Sequence, residues 1–368
     1  MNDQPGRLMR AEIAEQPAML RRIVVEAADE IAAISCELGR RRPKFVLLAA
    51  RGTSDHAALY AKYLVEVRLG LPAGLVSPSS MTVYRGRPEL RDVLFLAISQ
   101  SGGSPDLIDS LTVARECGAT TVALTNNPSS ELARAAEFAV DIRAGAERAV
   151  AATKSYTAQL LALYLLLAPL AAGRSVAAPG RFAAPGRFAD EVGPLADAAA
   201  GTLARDGDVL AAAVRYRLAG RLVTTARGFS YPTAREAALK LMETSYLGAQ
   251  AFSGADLLHG PMAMIDADLP VIAVVTPGPG GQAMVPVLDR LRQRGADLMV
   301  VGGLPDGSRQ DGAELATPVL RVLTAGVAEQ LYPILEILPL QQLALHLALQ
   351  RGEDPDAPRG LSKVTQTW

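Results

Sequence analysis

Short apolar runs alternate with polar turns and amphipathic stretches along most of this chain. Residues from Arg7 to Gly39 have helical apolar spacing and end in the basic run Arg40 to Arg42. Lys44 to Ala50 is then rich enough in apolar residues to be a buried strand, and it ends in Arg51, Gly52, Thr53 and Ser54 before a helical pattern that runs to Val67. The unit recurs: Val93 to Ile98 leads into the polar loop Ser99 to Ser104 and a helix, and Thr120 to Thr125 leads into Asn126 to Ser130 and another. Strands that alternate with helices predict a parallel sheet covered on both faces.

The second half repeats the first. Ala50, Arg51 and Gly52 lie 176 positions before Ala226, Arg227 and Gly228. Leu269 to Val275 follows the pattern of Val93 to Ile98, and Arg294 to Val301 follows that of Cys117 to Leu124, at nearly the same offset. Three matches in order predict a duplicated α/β domain. Between the copies, Ala177 to Phe182 recurs letter for letter as Ala183 to Phe188, which reads as an expanded linker. The expected organisation is an N-terminal helical segment over 1–40, a first domain over 41–173, a linker over 174–192, a second domain over 193–350 and a tail over 351–368.

Composition narrows the class. The chain has 368 residues, 49% of them hydrophobic and 20% charged, with a formal net charge of −1. That is an ordinary globular balance, which argues against disorder and against a polybasic nucleic-acid binder. The most apolar stretch, Leu160 to Ala172, contains Pro169 and falls short of the roughly 20 residues of a membrane span, so it is expected to be a buried helix. No membrane association is expected. The N-terminus carries Asp3, Glu12 and Glu15 without a basic and apolar leader, and Cys36 and Cys117 are too few for a disulfide framework or a four-cysteine metal site, so a cytoplasmic protein with no metal or cofactor is the expectation.

Lysine is scarce. Only Lys44, Lys62, Lys154, Lys240 and Lys363 accompany 32 arginines, and histidine occurs only at positions 56, 259 and 346. Arginine supplies positive charge as well as lysine does, but an imine requires a lysine amine, so each lysine is informative.

Open parallel sheets bind ligands beyond the carboxyl ends of their strands. Thr53, Ser54, Ser99, Gln100, Ser101 and Ser104 stand at two such ends, with Gly102 and Gly103 allowing close backbone approach, a sensible phosphate cradle. It matches neither a Walker A loop nor a GxGxxG fingerprint, and helix capping by Ser and Thr is the plainer explanation for any one hydroxyl. The corresponding loop of the second half, Thr276 to Gly281, has lost most of its hydroxyls, so a single phosphate site per chain would belong to the first half. In the second half, Glu236, Lys240 and Glu243 share one face of a strongly helical stretch. A solvated salt-bridge stripe would look the same. His259 precedes a Gly-Pro turn, and Lys363 lies in a tail whose Leu361, Val364 and Trp368 suggest a segment laid over the body; among apolar groups its amine would lose its proton more readily.

Taken together, Ala97 to Gly102, Val150 to Ser155, Glu236 to Glu243, His259 to Met262 and Pro358 to Lys363 resemble the double sugar-isomerase (SIS) domain family over essentially the whole chain, and Met9 to Pro17 looks like the segment that precedes its first domain. The resemblance is to the isomerase portion of glucosamine-6-phosphate synthase and to glutaminase-free glucosamine-6-phosphate deaminases. It implies two tandem flavodoxin-like three-layer domains. It also implies that Thr53, Ser54, Ser99, Gln100, Ser101 and Ser104 hold a sugar phosphate and that Glu243 moves a proton between C1 and C2. His259 would assist ring opening, Lys363 would form a Schiff base with the open-chain ketose, and Glu236 and Lys240 would be supporting charges. In the synthase the histidine comes from a neighbouring subunit, so a homodimer is implied.

No N-terminal cysteine nucleophile is present and little chain precedes the first strand, so release of ammonia from glutamine is not expected. Gly102 to Leu107 and Lys363 to Thr367 look more like the deaminases. The expected reaction is conversion of glucosamine 6-phosphate to fructose 6-phosphate and ammonia. The alternatives are a fructosamine-6-phosphate deglycase or a deaminase-isomerase of another amino-sugar phosphate. A non-catalytic sugar-phosphate sensor of the kind joined to DNA-binding modules would need a helix-turn-helix, for which roughly 40 residues are too few.

Overall fold

In a computed structural model the described residues are 4–174, 191–303 and 318–363. The hexapeptide repeat, Val364 and Trp368 lie outside them. Each half of the chain contributes one five-stranded, fully parallel sheet.

The first sheet contains β1 (Phe45–Ala49), β2 (Ala73–Leu75), β3 (Val93–Ile98), β4 (Thr120–Thr125) and β5 (Phe138–Asp141), in the order β2-β1-β3-β4-β5. The second contains β6 (Arg221–Ala226), β7 (Gly248–Ser253), β8 (Pro270–Val275), β9 (Asp297–Gly302) and β10 (Val319–Arg321), in the order β10-β9-β8-β6-β7. Read from the other edge, that is the same topology, and the register repeats as well. Val46 pairs with Ala73 as Arg221 pairs with Gly248, 27 positions on in each case, and Leu47 pairs with Phe95 as Thr224 pairs with Ile272, 48 positions on. The duplication read from three sequence matches therefore extends to strand pairing. β2, β5, β7 and β10 were not foreseen, because edge strands of three to six residues lack the long apolar run that marked the inner ones.

Helices complete each sheet. In the first unit, built on residues 18–147 with the helix Lys154–Arg174, the central strands β3 and β4 are almost wholly buried, and Phe95, Leu107, Leu111 and Leu132 are among the core side chains on one side. The helix Lys154–Arg174 has Tyr156, Leu160, Leu163 and Leu166 fully buried, as expected of the Leu160 stretch. The second unit, built on residues 194–361 together with the N-terminal residues to Pro17 and 148–153, buries Val271, Val275, Leu288, Leu291 and Val300. Its helix Tyr332–Gln350 is the counterpart of Lys154–Arg174 and is buried along nearly its whole length. Asp356 accepts hydrogen bonds from the backbone N–H groups of Leu8 (2.8 Å) and Met9 (2.8 Å), and Asp354 from that of Gly6 (3.0 Å), so two carboxylates satisfy the free donors at the start of the helix Arg7–Ala14. No helix of the described residues is long and apolar enough to cross a membrane.

Candidate functional site

In the first unit the strand order reverses between β1 and β3, where neighbouring crossovers leave to opposite sides and open a crevice at the carboxyl ends of the strands. Both hydroxyl-bearing loops start there. Past β1, Gly52 adopts φ 56° and ψ −132°, a conformation costly for any side chain, and the helix Thr53–Leu64 begins at once. Past β3, the loop Ser99–Ser104 runs into the helix Pro105–Glu116.

That second loop is held by its own backbone. The Gln100 carbonyl accepts from the N–H of Asn126 (3.0 Å), the Gly102 carbonyl accepts from Leu132 (3.1 Å), and the Ser99 hydroxyl accepts from the N–H of Gly102 (3.2 Å). Gly102 has φ 65°, and a Cβ there would stand 2.2 Å from the Ser130 hydroxyl oxygen, so only glycine fits. Ser104 occupies the N-cap position of the following helix but makes no side-chain capping bond, so ordinary capping does not account for its hydroxyl. Ser54 is buried and accepts a hydrogen bond from the Gln159 amide (2.9 Å). Gln100, Ser101, Ser104 and Thr53 are half-buried. Arg51, the last residue before Gly52, spans the two loops: its guanidinium lies 2.6 Å from the buried carboxylate of Asp106, in the first turn of Pro105–Glu116.

The second unit carries the charged helix Tyr231–Ser245. Glu236, Lys240 and Glu243 are not a solvated stripe. Glu236 and Lys240 are 0% and 1% exposed, and the Lys240 ammonium lies 3.4 Å from Glu236 and 2.5 Å from Glu243. Glu243 alone reaches the surface, at 23% side-chain exposure. A buried cation between two carboxylates leaves one acid, at the open end of the row, able to take or give a proton outside. His259 is exposed, at the C-terminus of the short helix Gly254–Leu258, and Gly260 after it has φ 154°.

Lys363 groups with the first unit. Its surroundings differ from the apolar cover expected for it: the ammonium lies 2.7 Å from Glu147, a carboxylate with 0% side-chain exposure. A buried carboxylate attracts the nearest cation more strongly than an apolar wall can hold it neutral. Ser155 donates to Glu147 from both its backbone N–H (3.0 Å) and its hydroxyl (2.7 Å). Burial opposes ionisation of Glu147, but the Lys363 charge and these donors outweigh it and hold the carboxyl below its ordinary value. Glu147 was not foreseen from sequence. Its one signal is an acid isolated in the small-residue run Ala144 to Ala152, just ahead of a motif that was recognised.

The second unit buries another acid, on the helix Tyr332–Gln350. Glu336 is fully buried and accepts hydrogen bonds from Ser230 (2.6 Å), Thr276 (2.7 Å) and Thr233 (2.9 Å). Burial, partly offset by these hydroxyls, raises its pKa above that of an ordinary glutamate. Glu329 accepts from the N–H of Gly280 (3.1 Å), and a Cβ on Gly278 would fall 2.7 to 2.9 Å from the Glu329 carboxylate. A lone acid inside the apolar run Tyr332 to Leu340 is the sequence signal that marks Glu336.

A family profile described as the SIS domain matches residues 41–169 and again 216–351. The chain is 33% identical over 355 residues to a glutamine--fructose-6-phosphate aminotransferase (isomerizing) of Methanothermobacter thermautotrophicus, covering 96% of this chain and 56% of that protein. It is 34% identical to the protein of the same name from Gloeobacter violaceus, covering 96% and 58%. The chain thus spans a little over half the length of these curated relatives. Among solved structures, the C-terminal domain of glucosamine-fructose-6-phosphate aminotransferase from Francisella tularensis superposes with a TM-score of 0.80 at 27% identity, over 96% of this chain and 99% of that one.

Proposed function

Because the chain belongs to the SIS domain family and carries that domain twice, we propose that it is a sugar-phosphate aldose-ketose isomerase that acts on an amino-sugar 6-phosphate, converting glucosamine 6-phosphate to fructose 6-phosphate and ammonia. Relatives named for fructose 6-phosphate chemistry that align with 96% of the chain support the substrate class. The observation that carries the reaction type is the row Glu236, Lys240 and Glu243, in which two buried members leave a single acid reaching the surface. An isomerisation between neighbouring carbons needs one such group.

In this reading Ser99, Gln100, Ser101, Ser104, Thr53 and Ser54 bind the phosphate, whose remote binding energy fixes the reacting carbons. His259 assists ring opening. Glu243 takes the proton from C2 of the open-chain aldose and returns it at C1, which leaves an imine at C2. The Lys363 amine adds to that imine and ammonia departs; water then cleaves the lysine imine to give the ketose phosphate and free Lys363. An ammonium is not a nucleophile, so in this reading Lys363 gives up its proton to solvent before attack, while the ion pair with Glu147 (2.7 Å) holds its Nζ in position. The working form is a homodimer to which His259 is contributed across the subunit interface, in the reducing cytoplasm that two free cysteines suit.

The test is incubation of the purified protein with glucosamine 6-phosphate, galactosamine 6-phosphate and fructosamine 6-phosphates while ammonia, released amine and ketose phosphate are followed. Ammonia from glucosamine 6-phosphate is the expected product. Turnover of an amino-acid adduct alone would replace the deaminase with a deglycase. Glu243→Gln is expected to abolish solvent deuterium exchange at the carbon that receives the proton, and retained exchange would remove Glu243 from its role.

A further inference from the structure

The two copies can be compared atom by atom where their strand order reverses. Ser54 corresponds to Ser230, 176 positions later, and Ser99 to Thr276, 177 later. Helix Lys154–Arg174 corresponds to Tyr332–Gln350, and at the same offset of 177 its Gln159 corresponds to Glu336. All of these side chains are buried in their own unit, Gln159 at 1% and Glu336 at 0% exposure.

The direction of the hydrogen bonds differs between the copies. In the first, the Gln159 amide donates to the Ser54 oxygen at 2.9 Å, so the Ser54 proton is left to point at an acceptor elsewhere. In the second, a carboxylate can only accept. Glu336 draws the protons of Ser230, Thr276 and Thr233 inward, and Glu329 takes up the N–H of Gly280. The donors that the second copy would offer to an anion are therefore turned toward its own carboxylates, whose charge also repels one.

We propose that Gln159 is a positioning residue which turns the Ser54 hydroxyl outward to donate to the substrate phosphate, and that a carboxylate at the equivalent position is what closes the second copy to phosphate. The inference rests on the reading of the first strand reversal as the phosphate site. It accounts for one sugar phosphate per chain on a twofold duplicated fold, and it assigns the difference to one pair of side chains that differ by an amide and a carboxylate.

The probes are inorganic phosphate and fructose 6-phosphate, titrated calorimetrically into the wild-type chain and two variants. Gln159→Glu carries the second copy's group into the first and is expected to weaken both ligands by about 100-fold, from a reversed hydrogen bond and a like charge. Gln159→Met removes the amide at similar volume without adding charge; it is expected to weaken binding about fivefold and to raise KM while kcat changes by less than about twofold. A merely structural Gln159 would lower the melting temperature in both variants and move kcat and KM together. Wild-type binding with unchanged affinity in Gln159→Glu overturns the proposal, and if that variant does not fold, unchanged affinity in Gln159→Met does so. If the wild-type chain binds neither probe, the phosphate-site reading itself fails.

Discussion

Lys363 and Glu147 show how a single contact changes the meaning of a residue. Scarcity of lysine marked Lys363 as a candidate amine, but its chemistry depends on a carboxylate 216 positions away in sequence. Because folding depresses the Glu147 pKa below the ordinary 4.5, its ionised form stabilises the folded state above that value, and the contribution is lost as pH falls through the lowered folded pKa. Glu147→Gln is expected to cost about 3 kcal/mol at neutral pH. The gap from wild type should close below the ordinary glutamate range. Urea unfolding at a series of pH values checks this, and a gap that stays constant into acid would mean that the carboxylate charge contributes nothing. For Lys240, equally scarce by type, the choice between a solvated stripe and a buried row needed burial, which helical spacing alone does not report.

At the scale of elements, the inner strands β1, β3, β4, β6, β8 and β9 were legible because a buried parallel strand is a continuous apolar run. The edge strands were not, since one side of each is unpaired and their side chains are only half-covered. The loop Ser99–Ser104 was legible as a cluster of small donors, but not its rigidity. Its shape is held by bonds to Asn126 and Leu132, and by Gly102 pressed against Ser130. Gly102→Ala must hold a β-carbon at positive φ and displace the Ser130 hydroxyl, so a loss of about 2–4 kcal/mol is expected. A thermal melt and a sugar-phosphate titration check it together: the melting point should fall and affinity with it. An unchanged melting point would show that the loop relaxes freely.

At the scale of the whole molecule, the register of both sheets repeats at separations of 27 and 48, so the copies share a scaffold and differ in what fills it. In one copy the Gln159 amide donates to Ser54, whereas the other satisfies its hydroxyls with Glu336 and the Gly280 N–H with Glu329, and places its charges on Tyr231–Ser245. The proposed homodimer supplies a further test at this scale. If His259 acts across the subunit interface, Glu243→Gln and His259→Ala are each inactive alone, but mixed and reassembled they should recover about a quarter of wild-type activity, because half of the dimers are mixed and each has one intact centre. No recovery from reassembled dimers would place His259 and Glu243 of one chain in the same centre.

Hydrophobic patterning and the residue matches at an offset of 176 determined the parallel α/β architecture, its duplication and the polar loops at strand ends, because those depend on which positions must leave water and on backbone turns local in sequence. The partners of the functional groups were decided only in three dimensions. Glu147 meets Lys363, Gln159 meets Ser54 and Glu336 meets Thr276 across 105 residues or more in the first two cases and 60 in the last. The direction of a hydrogen bond and the charge state of a buried acid are properties of such pairs, and no local pattern encodes them.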